Sequence, residues 1–150
     1  MRIKLSLIAL MGLFGFTVFA QSNERVDALL GQLQSRADDA CYLVLSAGGQ
    51  ISEDTEPETA YETAMQNHWL PTTKQADEPI LLNEFCALVM YALDLKGGLM
   101  FRLFPGPRYA YKHFVALGIV NSNGGPKRTV PGDEVLMVVS QAMELREKNQ

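Results

Sequence analysis

The chain has 150 residues, with 13 Lys and Arg against 17 Asp and Glu, for a formal charge of −4. That balance argues against nucleic acid or generic attraction to anionic lipid as the basis of its function, and the length suits one compact domain.

The chain opens with Met1-Arg2-Ile3-Lys4, a basic start, and continues as an apolar run from Leu5 to Phe19 that is short for a bilayer span. Val18-Phe19-Ala20 places small residues at the −3 and −1 positions before Gln21, the pattern of a cleavable secretory signal. Residues 1–20 are therefore read as a signal peptide, and 21–150 as an exported domain in the periplasm or outside the cell. Losing Arg2 and Lys4 takes the formal charge from −4 to −6. No later run reads as a membrane span.

Downstream, the apolar spacing predicts short helices. Val26, Leu29, Leu30 and Leu33 share one helical face. Ser35 with Asp38 resembles a capping box opening a helix that carries Ala40, Leu43, Val44 and Ala47 and stops at Gly48-Gly49. After the acidic connector SEDTEPE (52–58), Thr55 and Glu58 repeat that spacing before a helix over about 56–68. Phe85, Leu88, Val89 and Ala92 mark a longer helix ending before Gly97-Gly98. Pro107 begins the next one and Gly118 closes it, and Val135, Val138, Val139 and Ala142 lie on the last, which starts near Pro131. Ile80 and Val130 fit short extended segments. The fold class predicted is all-α.

Sliding the chain against itself by fifty positions aligns Ala60-Tyr61 with Ala110-Tyr111, Glu84 with Glu134, Val89 with Val139 and Ala92 with Ala142. Apolar positions pair between them, including Trp69 with Ile119, Leu70 with Val120, and Ile80 with Val130. At an offset of 45, DACYLVLSA (39–47) meets EFCALVMYA (84–92). Three helix–loop–helix repeats follow, over about 24–49, 57–95 and 107–146, two clear and the N-terminal one partial. The competing reading is a chance alignment of amphipathic helices in a small bundle.

The third of these copies resembles a surface-layer homology repeat. Phe104-Pro105-Gly106-Pro107-Arg108-Tyr109-Ala110 is similar to that family's aromatic opening, Leu117-Gly118-Ile119-Val120 to its helix exit, Asn121 to Gly125 to its loop, and Val130 to Glu134 to its turn. The resemblance implies three repeats stacked as a pseudo-threefold bundle that holds cell-wall polysaccharide. It also has a gap: the family's turn Arg is replaced by Ala37, Leu82 and Gly132, so the guanidinium that would grip an acidic glycan is missing.

Candidate functional residues are few. Trp69, Arg108, Tyr109, Lys127 and Arg128 supply the aromatic faces and cations that suit a sugar or acidic polymer. A solvated face is the competing reading for the cations. Cys41 and Cys86 occupy matching helical positions in an exported chain, so they are a candidate disulfide; two small buried residues is the alternative. Phe101 and Leu103, within the apolar stretch GLMFRLF (98–104), are candidates for a partner surface or for core. No His-x-x-x-His, Cys-x-x-Cys or dense carboxylate loop occurs, so neither a metal nor a cofactor is expected. The expected function is a non-catalytic envelope module binding cell-wall glycan or an envelope protein. The alternative is a structural adaptor acting through apolar helix faces, and a small hydrolase ranks last.

Overall fold

The computed structural model describes residues 23–149; the predicted signal peptide lies outside the described residues. Among these, seven helices and no strand occur, in agreement with the all-α expectation. They are α1 (23–30), α2 (Ala37–Ala47), α3 (Pro57–Gln66), α4 (Leu82–Ala92), α5 (Leu99–Leu103), α6 (Pro107–Ala116) and α7 (Gly132–Lys148). α5 lies within the apolar stretch GLMFRLF (98–104), for which the spacing predicts no helix. No helix among the described residues is long and apolar enough to cross a membrane.

Local chemistry explains most helix ends. Pro57 and Pro107 sit in first turns, where a missing N–H costs nothing. α2 stops at Gly48, followed by Gly49 at φ +70°. The exits of α3 and α6 use one backbone shape with different residues, His68 at φ 58° and Gly118 at φ +71°. Only the second is a residue that adopts this region without cost.

The helix starts follow a different rule from the one the capping boxes suggested. Neither Ser35 nor Thr55 caps a helix: α2 begins after Arg36 and α3 after Glu56, and neither receives a side-chain cap. The first N–H groups of α2, α4 and α7 are instead satisfied by backbone carbonyls of distant loops. Ala37 and Asp38 donate to Glu78 and Ala76; Leu82 and Asn83 donate to Arg128 and Pro126; Gly132 donates to Gln32. Isolated antiparallel bridges pair Arg36 with Pro79 and Leu81 with Thr129. Ser35 bonds through its backbone to both Val130 and Ile80, and all three side chains are fully buried where these segments meet. Turned into that junction, the Ser35 hydroxyl finds no partner. A loop acceptor can thus start a helix behind a poor N-cap residue such as Leu81 or Pro131.

Packing follows the same circuit. α3 lies against α2 through Ala60 and Ala64, and α6 lies against α4 through Ala110 and Phe114. α1 meets the start of α7 so closely that a Cβ on Gly132 would lie 1.7 Å from the Leu29 carbonyl oxygen. The core is one cluster, with Phe85, Phe114, Leu45, Ile80, Leu82 and Leu88 among its largest fully buried side chains. Burying each such side chain contributes about 1.5–3 kcal/mol.

Candidate functional site

The acids three residues into α2, α4 and α7 are Asp39, Glu84 and Glu134, and each is held by a donor from the loop before its helix. Gln32 donates to Asp39 at 2.7 Å, Lys74 pairs with Glu84 at 2.9 Å, and Arg128 makes a two-pronged pair with Glu134 at 2.7 and 2.5 Å. Glu84 also reaches back to accept from the Leu81 N–H. Arg128 additionally donates to the Asn123 and Thr129 carbonyls. Its hydrogen bonds to Glu134 raise its pKa above the ordinary value, reinforcing a permanently charged clamp. Arg128 is therefore an internal fastener of the loop, which corrects both its reading as a ligand-binding cation and the competing one as a solvated cation. Neighbouring Lys127 is exposed and forms no ion pair among the described residues.

Beside Arg128 lies an open depression of about 400 Å³ lined by Asn121, Asn123, Pro131, Asp133, Glu134 and Met137. Arg108 and Tyr109 belong elsewhere. They sit at the start of α6, where the Arg108 guanidinium lies 5.9 Å and the Lys112 ammonium 5.8 Å from the centroid of the Tyr109 ring. Tyr109 in turn meets Phe104 at 6.3 Å between centroids. Trp69 takes part in neither place: it follows α3, half-buried against the core, at the position where Ile119 is buried after α6. The proposed sugar-binding set is thus divided among three locations.

Cys41 and Cys86 are buried, unbridged thiols. The pairing suggested by their equivalent positions is not made. Burial pushes both thiols well up from their ordinary range, so neither is a thiolate nucleophile.

The apolar stretch resolves into an anchor and a surface. Phe101 is only 9% exposed, its ring packed 5.7 Å from that of Tyr91 and folded over Gly97, where a Cβ would meet it at 2.5 Å. That corrects its assignment to a partner surface. Leu103 instead lies in solvent with its neighbours: Leu99, Met100, Leu103 and Phe104 are 66%, 51%, 58% and 61% exposed. A groove of about 550 Å³ on one side of α5 is lined by Leu95, Phe101 and Pro105 with Lys96 and Arg102. Another of about 290 Å³ runs between α5 and Tyr109, Lys112 and His113. Burial lowers the His113 pKa, favouring the neutral imidazole.

No protein-family model, curated protein or solved structure matches this chain.

Charge is segregated in a way that the net value hides. Between Arg36 and Lys96 the only basic residue is Lys74, whereas between Asp94 and Asp133 there is no acid and six cations: Lys96, Arg102, Arg108, Lys112, Lys127 and Arg128. Counting charge along segments rather than over the whole chain would have found this from sequence. What the sequence could not tell is that four of these cations surround the exposed residues of α5.

Proposed function

We propose that this protein is an exported, non-catalytic module of the cell envelope that docks onto its target through the α5 surface. The observation that carries this reading is the cluster of Leu99, Met100, Leu103 and Phe104, all more than half exposed and bordered by Lys96, Arg102, Arg108 and Lys112. An exposed apolar patch with a charged rim is what an interaction surface requires, and isolated exposed side chains would not draw attention. Buried, raised-pKa thiols support a non-enzymatic role.

The scaffold is read as three degenerate surface-layer homology repeats. Its support is the recurrence, at offsets of 45 and 50, of the loop-capped helix starts, the two bridges and the held acids. A cell-wall glycan is the second reading, favoured by the amide and carboxylate lining of the depression at Asn121, Asn123 and Asp133. Sugars are bound through such planar polar groups and apolar neighbours, here Met137.

A photo-crosslinking side chain at position 103 in intact cells tests the docking reading, with the same probe at Glu62, an exposed position on α3, as control. Adducts at 103 and not at 62 are expected. Absence of any adduct at 103 would refute it, and retention by purified wall material that depends on Asn121 and Asp133 would favour the glycan.

A further inference from the structure

The α5 surface joins two properties that lie apart elsewhere in the molecule. Arg25, Arg36, Lys74 and Arg128 are each tied to a carboxylate, whereas Lys96, Arg102, Arg108 and Lys112 take part in no ion pair among the described residues. The free cations are also tied to the apolar side chains by direct neighbourhood. Arg108 and Lys112 lie over Tyr109, Tyr109 meets Phe104, and Lys96 and Arg102 flank the anchor Phe101.

Building on the docking reading above, we propose that the occupant of this surface is an anionic phospholipid bilayer. Shape is the first argument. Three of the four apolar residues project from a five-residue helix, and Phe104 directly follows it, the whole set between Gly97-Gly98 and Pro105-Gly106-Pro107 and held down by Phe101. A partner protein would need a concavity matched to these tips, whereas the acyl boundary of a bilayer accepts them in any arrangement. Chemistry is the second. Leu, Met and Phe enter the headgroup–acyl boundary while Arg and Lys, on long apolar stems, keep their charges at the phosphates. Tyr109 has the amphipathic ring that settles at that depth.

Charge supplies the third argument. So small an apolar tip gives weak, reversible attachment on its own and needs the attraction of cations for anionic lipid. In a chain of net charge −4, residues 95–132 carry six cations and no acid, and four of those cations border α5, so electrostatics also orients the approach. The overall charge argues against generic attraction to lipid; its local reversal permits attachment through one patch.

Sedimentation of the exported chain, residues 21–150, with vesicles tests this, using phosphatidylcholine alone or mixed with phosphatidylglycerol, at low and high salt. Binding to the mixed vesicles at low salt is expected, with loss on neutral vesicles and in high salt. Leu103→Ser with Phe104→Ser should reduce binding at least tenfold, and Arg102→Gln or Arg108→Gln about fivefold each. Lys127→Gln, outside the patch, should leave binding unchanged. A Phe104→Trp variant should show blue-shifted emission with mixed vesicles, above the constant contribution of Trp69. All of these positions are exposed, so unchanged melting curves will show that the variants are folded. Failure of the wild type to bind mixed vesicles, equal binding to neutral ones, or full binding by the Leu103/Phe104 variant would overturn the assignment. If vesicles are ignored while the probe at position 103 captures one discrete protein in cells, the bilayer is wrong and the docking reading stands. If neither happens, both fall.

Discussion

Gly132→Ala tests whether the helices close into a circuit. Gly132 is the first residue of α7, a position where adding a Cβ would ordinarily be harmless or favourable, since Ala exceeds Gly in helix propensity by up to about 1 kcal/mol. Here the added carbon would lie 1.7 Å from the Leu29 oxygen and 2.6 Å from the Leu29 carbonyl carbon. Both atoms are backbone, so no rotamer change relieves the collision. A carbon–oxygen contact of about 3.3 Å requires α1 to withdraw by about 1.5 Å. That movement breaks the 3.0 Å bond from the Gly132 N–H to Gln32, worth about 1 kcal/mol, and uncovers part of Leu29, whose full burial contributes about 1.5–3 kcal/mol. Against the propensity gain, a net loss of about 2 kcal/mol is expected, or roughly 8 °C in melting midpoint for a domain of this size. Urea and thermal unfolding measure it. Gly31→Ala, whose Cβ would make only ordinary contacts at 3.6 and 3.9 Å, serves as the control and should change stability by less than about 0.5 kcal/mol. A Gly132→Ala protein as stable as wild type would mean that α1 does not pack against α7, and the circuit would be open.

The other predictions use the same unfolding measurements unless stated. Arg128→Ala should cost about 1–3 kcal/mol because it strands the largely covered Glu134 carboxylate, whereas Lys127→Ala should be silent; equal effects would remove the fastening role. Native protein purified without reductant should not react with a thiol reagent, and denaturant should release two reactive thiols; a mass lower by two hydrogen atoms would instead reveal a disulfide. Gly118→His should cost about 1 kcal/mol and His68→Gly should gain about 0.5 kcal/mol, since both positions hold positive φ. A loss on His68→Gly would show that the imidazole makes a stabilising contact. For His113, the folded-state pKa lies below its ordinary 6.5, so the unfolded chain takes up the proton first as pH falls. Its contribution to stability is therefore full above about pH 6.5 and shrinks as pH drops through that value toward the folded pKa. A His113→Gln variant should show a shallower stability loss between neutral pH and pH 5 than wild type; identical slopes would contradict this.

Helix placement was legible locally for every helix but α5, because the buried face of a helix must recur every third or fourth residue whatever it packs against. Phe85, Leu88, Val89 and Ala92 therefore announced α4, and Pro57, Pro107 and Gly48-Gly49 announced ends whose chemistry is local. The extended character of Ile80 and Val130 was equally readable, and both lie beside the bridges. Helix starts were not readable in the same way. Ser35 looks like a cap in one dimension, yet the nearest acceptors for Ala37 and Asp38 come from a loop about forty residues away, and no local pattern encodes that distance. The fates of Arg128, Cys41, Cys86 and Phe101 were undecided for the same reason. An arginine is solvated or clamped, a thiol paired or alone, and a phenylalanine exposed or buried according to which element stands opposite, and only the tertiary structure brings that element near. Charge segregation lay open in the sequence, but its meaning depended on α5 turning Phe101 inward so that Leu99, Met100, Leu103 and Phe104 were left outside among the cations.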